Sequence, residues 1–189
     1  LGDFIDHEIS GIKVLNKIIS TLQVPLYHVF GNHDFYEQWP KDHNRNLKED
    51  LLELLDMPAP YYEKNFDGYK FLFLDTNEVG IIESPVGTEQ YEEGMDLINS
   101  LKVQGYVNAE TWNGSVSKTQ LNWIKKKVHE AYIANQNVLL LGHHPVFPEH
   151  RENMLEYEKI LGLFAEHKSI IAYLNGHNHD GNQGIFNDV

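Results

Sequence analysis

Four short stretches of this chain put an acidic, amide or imidazole side chain directly behind a glycine: Gly2-Asp3, Gly31-Asn32, Gly142-His143 and Gly176-His177. Asp, Asn and His, in a chain without Cys, are hard-to-borderline ligands of Mn, Fe or Zn, so their convergence would build a metal site of mixed oxygen and nitrogen donors. Glycine lets the backbone turn sharply and approach a neighbour closely, as such a site requires. The sharpest stretch is His177-Asn178-His179. Residues two apart on an extended segment project the same way, so both rings could enter one cluster from a single loop. Gly31-Asn32-His33-Asp34 taken alone reads as an ordinary turn after a strand, and agreement with the other three stretches makes it a ligand candidate. The remaining histidines have ordinary expectations: His28 in a strand, His129 and His167 on helix surfaces, His7, His43 and His150 in loops.

The positioning elements follow from periodicity. Each glycine comes after a short apolar run, namely Leu26 to Phe30, Val138 to Leu141 and Ser169 to Leu174, with Leu1 as the exit of a further strand. Runs this short are strands rather than helices, and α/β sheets keep their sites at strand carboxyl ends. Between them, Ile9, Ile12, Leu15, Ile18, Ile19 and Leu22 recur at helical spacing over Glu8 to Leu22, and a short helix is expected from Asn46 to Met57. Asp67-Gly68 between two aromatic-rich runs predicts an antiparallel hairpin. Ser117 with Gln120 is a capping box opening a helix to about Tyr132, and another helix is expected from Glu152 to His167. A long polar insertion at about 77–111 carries no clear period, and such loops are usually lids or disordered segments.

At 189 residues, the chain is one domain or a large part of one. A hydrophobic share of 41% and a net charge of -13 describe a globular protein without the basic footprint of a nucleic-acid binder. The absence of cysteine excludes thiolate metal sites and cysteine nucleophiles, and suits a reducing, cytoplasmic compartment. No apolar run is long enough to span a membrane. Both ends read as cut, because the chain opens on Leu1-Gly2-Asp3 and closes at Asp188-Val189 as a new strand begins.

The ordered blocks Gly-Asp-x-x-Asp, Gly-Asn-His-Asp, Gly-His-His-Pro and Gly-His-x-His resemble the calcineurin-like metallophosphoesterases. The resemblance covers nearly the whole chain. It implies an α/β fold, a four-layer α/β/β/α sandwich truncated here at both ends, with two divalent metal ions between the strand ends. On it, Asp3 bridges the metals, Asn32, His143 and His177 complete the second site, and His179 belongs to the first. The family's upstream Asp-x-His block has no counterpart here. Trp112-Asn113-Gly114 and Gly176 to Gly181 are further similar to the manganese-dependent ADP-ribose/CDP-alcohol diphosphatases within that superfamily, which makes Mn the expected metal, with Fe or Zn as alternatives.

A phosphodiester or pyrophosphate repels hydroxide, and a metal pair overcomes this by screening the phosphoryl oxygens and acidifying a water. The resemblance places His33 at the leaving oxygen with Asp6 as its partner. Asn113 and His144 are expected to contact substrate, and the segment from Tyr91 to Trp112 to wall the nucleotide pocket. The expected activity is hydrolysis of the pyrophosphate bond of small nucleoside diphosphate conjugates. The alternatives are a phosphodiesterase or phosphomonoesterase of other small substrates and a catalytically silent metal-binding module.

Overall fold

The computed structural model describes residues 1–6, 10–35 and 47–189. Asp67 and Gly68 both have positive φ, +30° and +84°, the backbone of a tight hairpin turn. They join β1 (Tyr62–Phe66) to an antiparallel β2 (Tyr69–Phe73). β2 pairs in parallel with β3 (Asn137–Leu141), and β3 in parallel with β4 (Ile170–Leu174), giving the sheet order β1-β2-β3-β4. Parallel neighbours need crossovers. These contain α3 (Glu89–Val103) and α4 (Lys118–Ile133) between β2 and β3, and α5 (Glu158–Glu166) between β3 and β4. α1 (Ser10–Ile19) and α2 (Leu47–Leu54) precede the sheet.

Alternation along the strands divides the core in two. Leu72, Val138 and Leu140 pack against Ile124 and Val128 of α4 and Ile160 and Phe164 of α5. Phe73 and Leu141 pack with Ile12 of α1, Phe30, and Leu47 and Leu51 of α2. Burial on both faces is what the continuous apolar run in β3 requires, and each fully buried Leu or Ile contributes about 1.5–3 kcal/mol.

The α/β class, the hairpin, both parallel strands and α4 are as expected from sequence. Of the two sheets that a sandwich implies, the described residues form one. The run from Leu26 to Phe30, expected as a strand, joins no ladder. Side chains meet its backbone instead: the Tyr62 hydroxyl accepts from His28 N–H and donates to His28 C=O, both at 2.8 Å, while Asn77 Nδ2 donates to Phe30 C=O at 3.1 Å.

The stretch expected as an insertion without clear period contains the 15-residue helix α3. Thr88 caps α3 by accepting from Tyr91 N–H, and Gly94, Ile98 and Leu101 face inward. Ile98 and Leu101 join Ala109 and Leu155 in a small third core. The capping box at α4 is half formed. Ser117 Oγ accepts from Gln120 N–H at 3.1 Å, but the Gln120 side chain turns inward to exchange two 2.9 Å bonds with the Asp75 backbone, fixing the exit of β2. α5 starts at Glu158, six residues later than expected from Glu152, and leaves the segment before it in turns. His7, Glu8, Ile9, His43 and Asn46 lie outside the described residues. No helix among the described residues is long and apolar enough to cross a membrane.

Candidate metal centre

The parallel register pairs Leu141 with Leu174, so β3 and β4 end level. The ladder continues for one step beyond both strands, with Gly142 N–H donating to Leu174 C=O and Gly176 N–H to His143 C=O, each at 3.0 Å. His143 and His177 therefore emerge side by side, with ring centroids 4.8 Å apart. Two other loops close on them. Gly2 has φ +88°, and a Cβ there would strike His143 Nδ1 and the Gly31 backbone. A Cβ on Gly31 would overlap the Asp3 carboxylate, so the two glycines permit the interlock. Asp34 staples these loops: Oδ1 accepts from Phe4 and Ile5 N–H at 2.8 and 3.2 Å, and Oδ2 from Gly31 N–H at 2.8 Å. Burial pushes its carboxyl up to about 6, although the three N–H bonds favour the anion.

Four donor atoms converge at this junction. His143 Nε2 lies 2.9 Å from Asn32 Oδ1, 3.1 Å from His177 Nδ1 and 3.3 Å from Asp3 Oδ2. His177 Nδ1 is also 3.1 Å from Asn32 Oδ1. The outer nitrogens of both rings determine what the inner ones carry. His143 Nδ1 faces the Leu1 carbonyl at 2.8 Å, which only accepts, so Nδ1 holds the proton and Nε2 a lone pair. His177 Nε2 faces Asn113 Oδ1 at 3.0 Å and Glu152 Oε2 at 3.3 Å, so Nε2 holds the proton and Nδ1 a lone pair. Burial also keeps the rings neutral: it lowers His143, and with the neighbouring His143 and His33 it takes His177 down to about 3.

Lone pairs on two nitrogens and two oxygens thus point at one another. Without a cation between them this is repulsive. With one it is a coordination sphere, and the mixed N and O set fits a divalent ion of the Mn, Fe or Zn type. Asp3, His143 and His177 alone offer three ligand atoms within 4.8 Å of one another.

His33 and Asp6 meet as expected, Nδ1 to Oδ1 at 2.8 Å, and His33 N–H donates to Asp3 Oδ1 at 3.1 Å. His179 stands outside the three-residue cluster, exposed on the wall of the adjoining cleft. Asn113 and His144 sit behind the donors rather than on the cleft wall, both fully buried. His144 bonds to Thr76 Oγ1 at 2.8 Å and the Trp112 carbonyl at 3.2 Å, and burial holds it well below the ordinary histidine range.

The cleft over the donors has a volume of about 780 Å³, enough for a nucleotide-sized ligand. Asn32, His33 and His177 line it together with Trp112, His150, Arg151 and Glu152. Of the stretch expected to wall a pocket from Tyr91 onward, Trp112 alone is among the lining residues. Sequence reading missed the other three, taking His150 for a plain loop residue and Glu152 for a helix start. The available signal was density: Glu149-His150-Arg151-Glu152 crowds four ionisable groups into the loop after the Gly142-His143 exit.

Residues 1–181 match the calcineurin-like phosphoesterase family. The manganese-dependent ADP-ribose/CDP-alcohol diphosphatase of Mus musculus is 26% identical over 212 residues, covering 96% of this chain and 62% of the mouse protein. The protein of the same description from Oryza sativa subsp. japonica is 28% identical over 193 residues, covering 92% of this chain and 57% of its own length. The chain thus spans about three-fifths of these curated relatives. A solved dimetal phosphatase from Danio rerio shares the fold, with a TM-score of 0.82 at 21% identity over 98% of this chain and 67% of that one. The family match runs through all four glycine-led exits in sequence, and this chain belongs to the calcineurin-like phosphoesterase family.

Proposed function

We propose that this chain is the core of a metal-dependent phosphohydrolase that cleaves the pyrophosphate bond of small nucleoside diphosphate conjugates such as ADP-ribose or CDP-alcohols. The observation that carries this reading is the convergence of His143 Nε2, His177 Nδ1, Asn32 Oδ1 and Asp3 Oδ2 beside a nucleotide-sized cleft that Asn32 and His177 line. The names of the relatives supply the substrate class and the metal, manganese.

Asp3, Asn32, His143 and His177 would hold one divalent ion, and Asp3 with His179 would contribute to a second. Bound there, such ions screen the phosphoryl oxygens and make a coordinated water acidic enough to attack at neutral pH. The chain's own groups supply the rest. Asp6 holds the His33 ring through Nδ1, and His33 would protonate the departing oxygen. Asp34 keeps the Asp3 and Asn32 loops in register. Water adds across the P–O–P bridge, so ADP-ribose gives AMP and ribose 5-phosphate.

Turnover of ADP-ribose, CDP-choline and an aryl phosphate by the manganese-loaded protein tests the reading. Turnover of either nucleotide in preference to the aryl ester is the expected result. Preference for the aryl ester would point to a monoesterase, and turnover of none would leave a metal-binding module.

A further inference from the structure

A pyrophosphate carries charge on both phosphoryl groups, and ions at the donor cluster answer for the one under attack. The other must be met elsewhere, in a chain of net charge -13 whose cleft also holds Glu152 and Asp180. Among the described residues lining that cleft, Arg151 is the only one with a permanent positive charge.

Arg151 is well placed by its neighbours. Its guanidinium carbon lies 5.6 Å from the centroid of the Trp112 ring, and Nε donates to Glu152 Oε1 at 2.8 Å. Glu152 is fixed in turn, because Oε2 accepts from Trp112 Nε1 at 2.8 Å and lies 3.3 Å from His177 Nε2. The Arg151 main chain is tied to the same structure, its carbonyl accepting from Asn113 Nδ2 at 2.7 Å. A rigid path therefore runs from the metal-site His177 through Glu152 to the guanidinium. With Nε engaged, the remaining N–H donors lie on the terminal amino groups of a side chain that is 65% exposed, the edge of guanidinium that matches two phosphoryl oxygens.

We infer that Arg151, seated on Trp112 and oriented by Glu152, anchors the phosphoryl group that is not attacked, and so selects diphosphate conjugates over monophosphate esters. This rests on the diphosphatase reading above. Lys at this position would keep the charge but lose the planar fork and the seat on the ring.

Calorimetric titration of the manganese-loaded protein with ADP and with AMP tests the inference through the ratio of the two dissociation constants. Wild type should prefer ADP by about tenfold or more, Arg151→Gln should bring the ratio near one, and Arg151→Lys should fall between. A preference that survives in Arg151→Gln, or its absence in wild type, overturns the inference. The underlying reading fails separately, through lack of ADP-ribose turnover by wild type, and in that event the ADP to AMP ratio still decides whether Arg151 grips a second phosphoryl group.

Discussion

Asn113 Oδ1 lies 3.0 Å from His177 Nε2, and the same amide's Nδ2 donates to the carbonyls of Asn108 and Arg151 at 2.9 and 2.7 Å. The two carbonyls allow one orientation of the amide. That orientation puts an acceptor on His177 Nε2 and leaves the lone pair of Nδ1 facing Asp3, Asn32 and His143. Asn113, expected at the substrate, is fully buried behind His177.

Removing that support should loosen the metal rather than the substrate. Asn113→Ala is expected to weaken manganese binding by about 10- to 100-fold, the usual effect of losing the outer partner of a ligating imidazole. Calorimetric titration reads it directly, and 15N shifts of the His177 ring would report mixed tautomers. Unchanged affinity would mean that Glu152 alone orients the ring.

The His33–Asp6 contact makes a different prediction. On the proposed function Asp6 acts through His33, so Asp6→Asn should lower kcat on ADP-ribose by about 10²- to 10⁴-fold, the range of a lost general acid, with manganese affinity retained. A parallel fall in metal affinity would assign the pair to metal binding instead.

Lys48 bridges Asp75 at 2.7 Å and Glu83 at 2.6 Å, one cation between two largely buried carboxyls. Burial first, then the Asp75 charge, raises Glu83 well above its ordinary 4.5, while Lys48 pulls the other way. The folded protein therefore keeps a proton that the unfolded chain releases, and stability is lost as pH rises from about 4.5 through the folded value. The slope from one such proton is at most about 1.4 kcal/mol per pH unit. Urea unfolding at pH 5 to 8 should reveal this decline in wild type and a flatter profile in Glu83→Gln. Identical profiles would remove Glu83 as the cause.

Close backbone contact anchors α3. A Cβ on Gly94 would collide with the carbonyl of Gly80, so Gly94→Ala must push the helix away from that loop despite alanine's better helix propensity. The expected cost is about 1–3 kcal/mol, the range for overpacking, measurable as a lower urea midpoint. A stabilised variant would show that the helix can shift freely.

α3 was hard to read from sequence for the same reason. Its buried residues are Gly94, Ile98 and Leu101, so one inward position carries no side chain, while apolar Tyr91, Met95 and Val103 off that face blur the helical period. The hairpin at Asp67-Gly68 and the apolar runs of β3 and β4 were legible because backbone conformation and burial demand those residue types locally. The stretch from Leu26 to Phe30 has the composition of a strand, yet its hydrogen bonds go to Tyr62 and Asn77, partners remote in sequence. In the site, ligand candidates were legible as residue types behind glycines. Which polar groups face the cleft and which stand behind the donors depends on contacts such as Asn113 with Arg151, and no local pattern encodes those.

Anomalous diffraction at the manganese edge from crystals of the metal-loaded protein would locate the ion among the four converging donor atoms. The expected result is a peak within bonding distance of Asp3 Oδ2, Asn32 Oδ1, His143 Nε2 and His177 Nδ1 together. A peak bound by other residues, or none at saturating manganese, would contradict it.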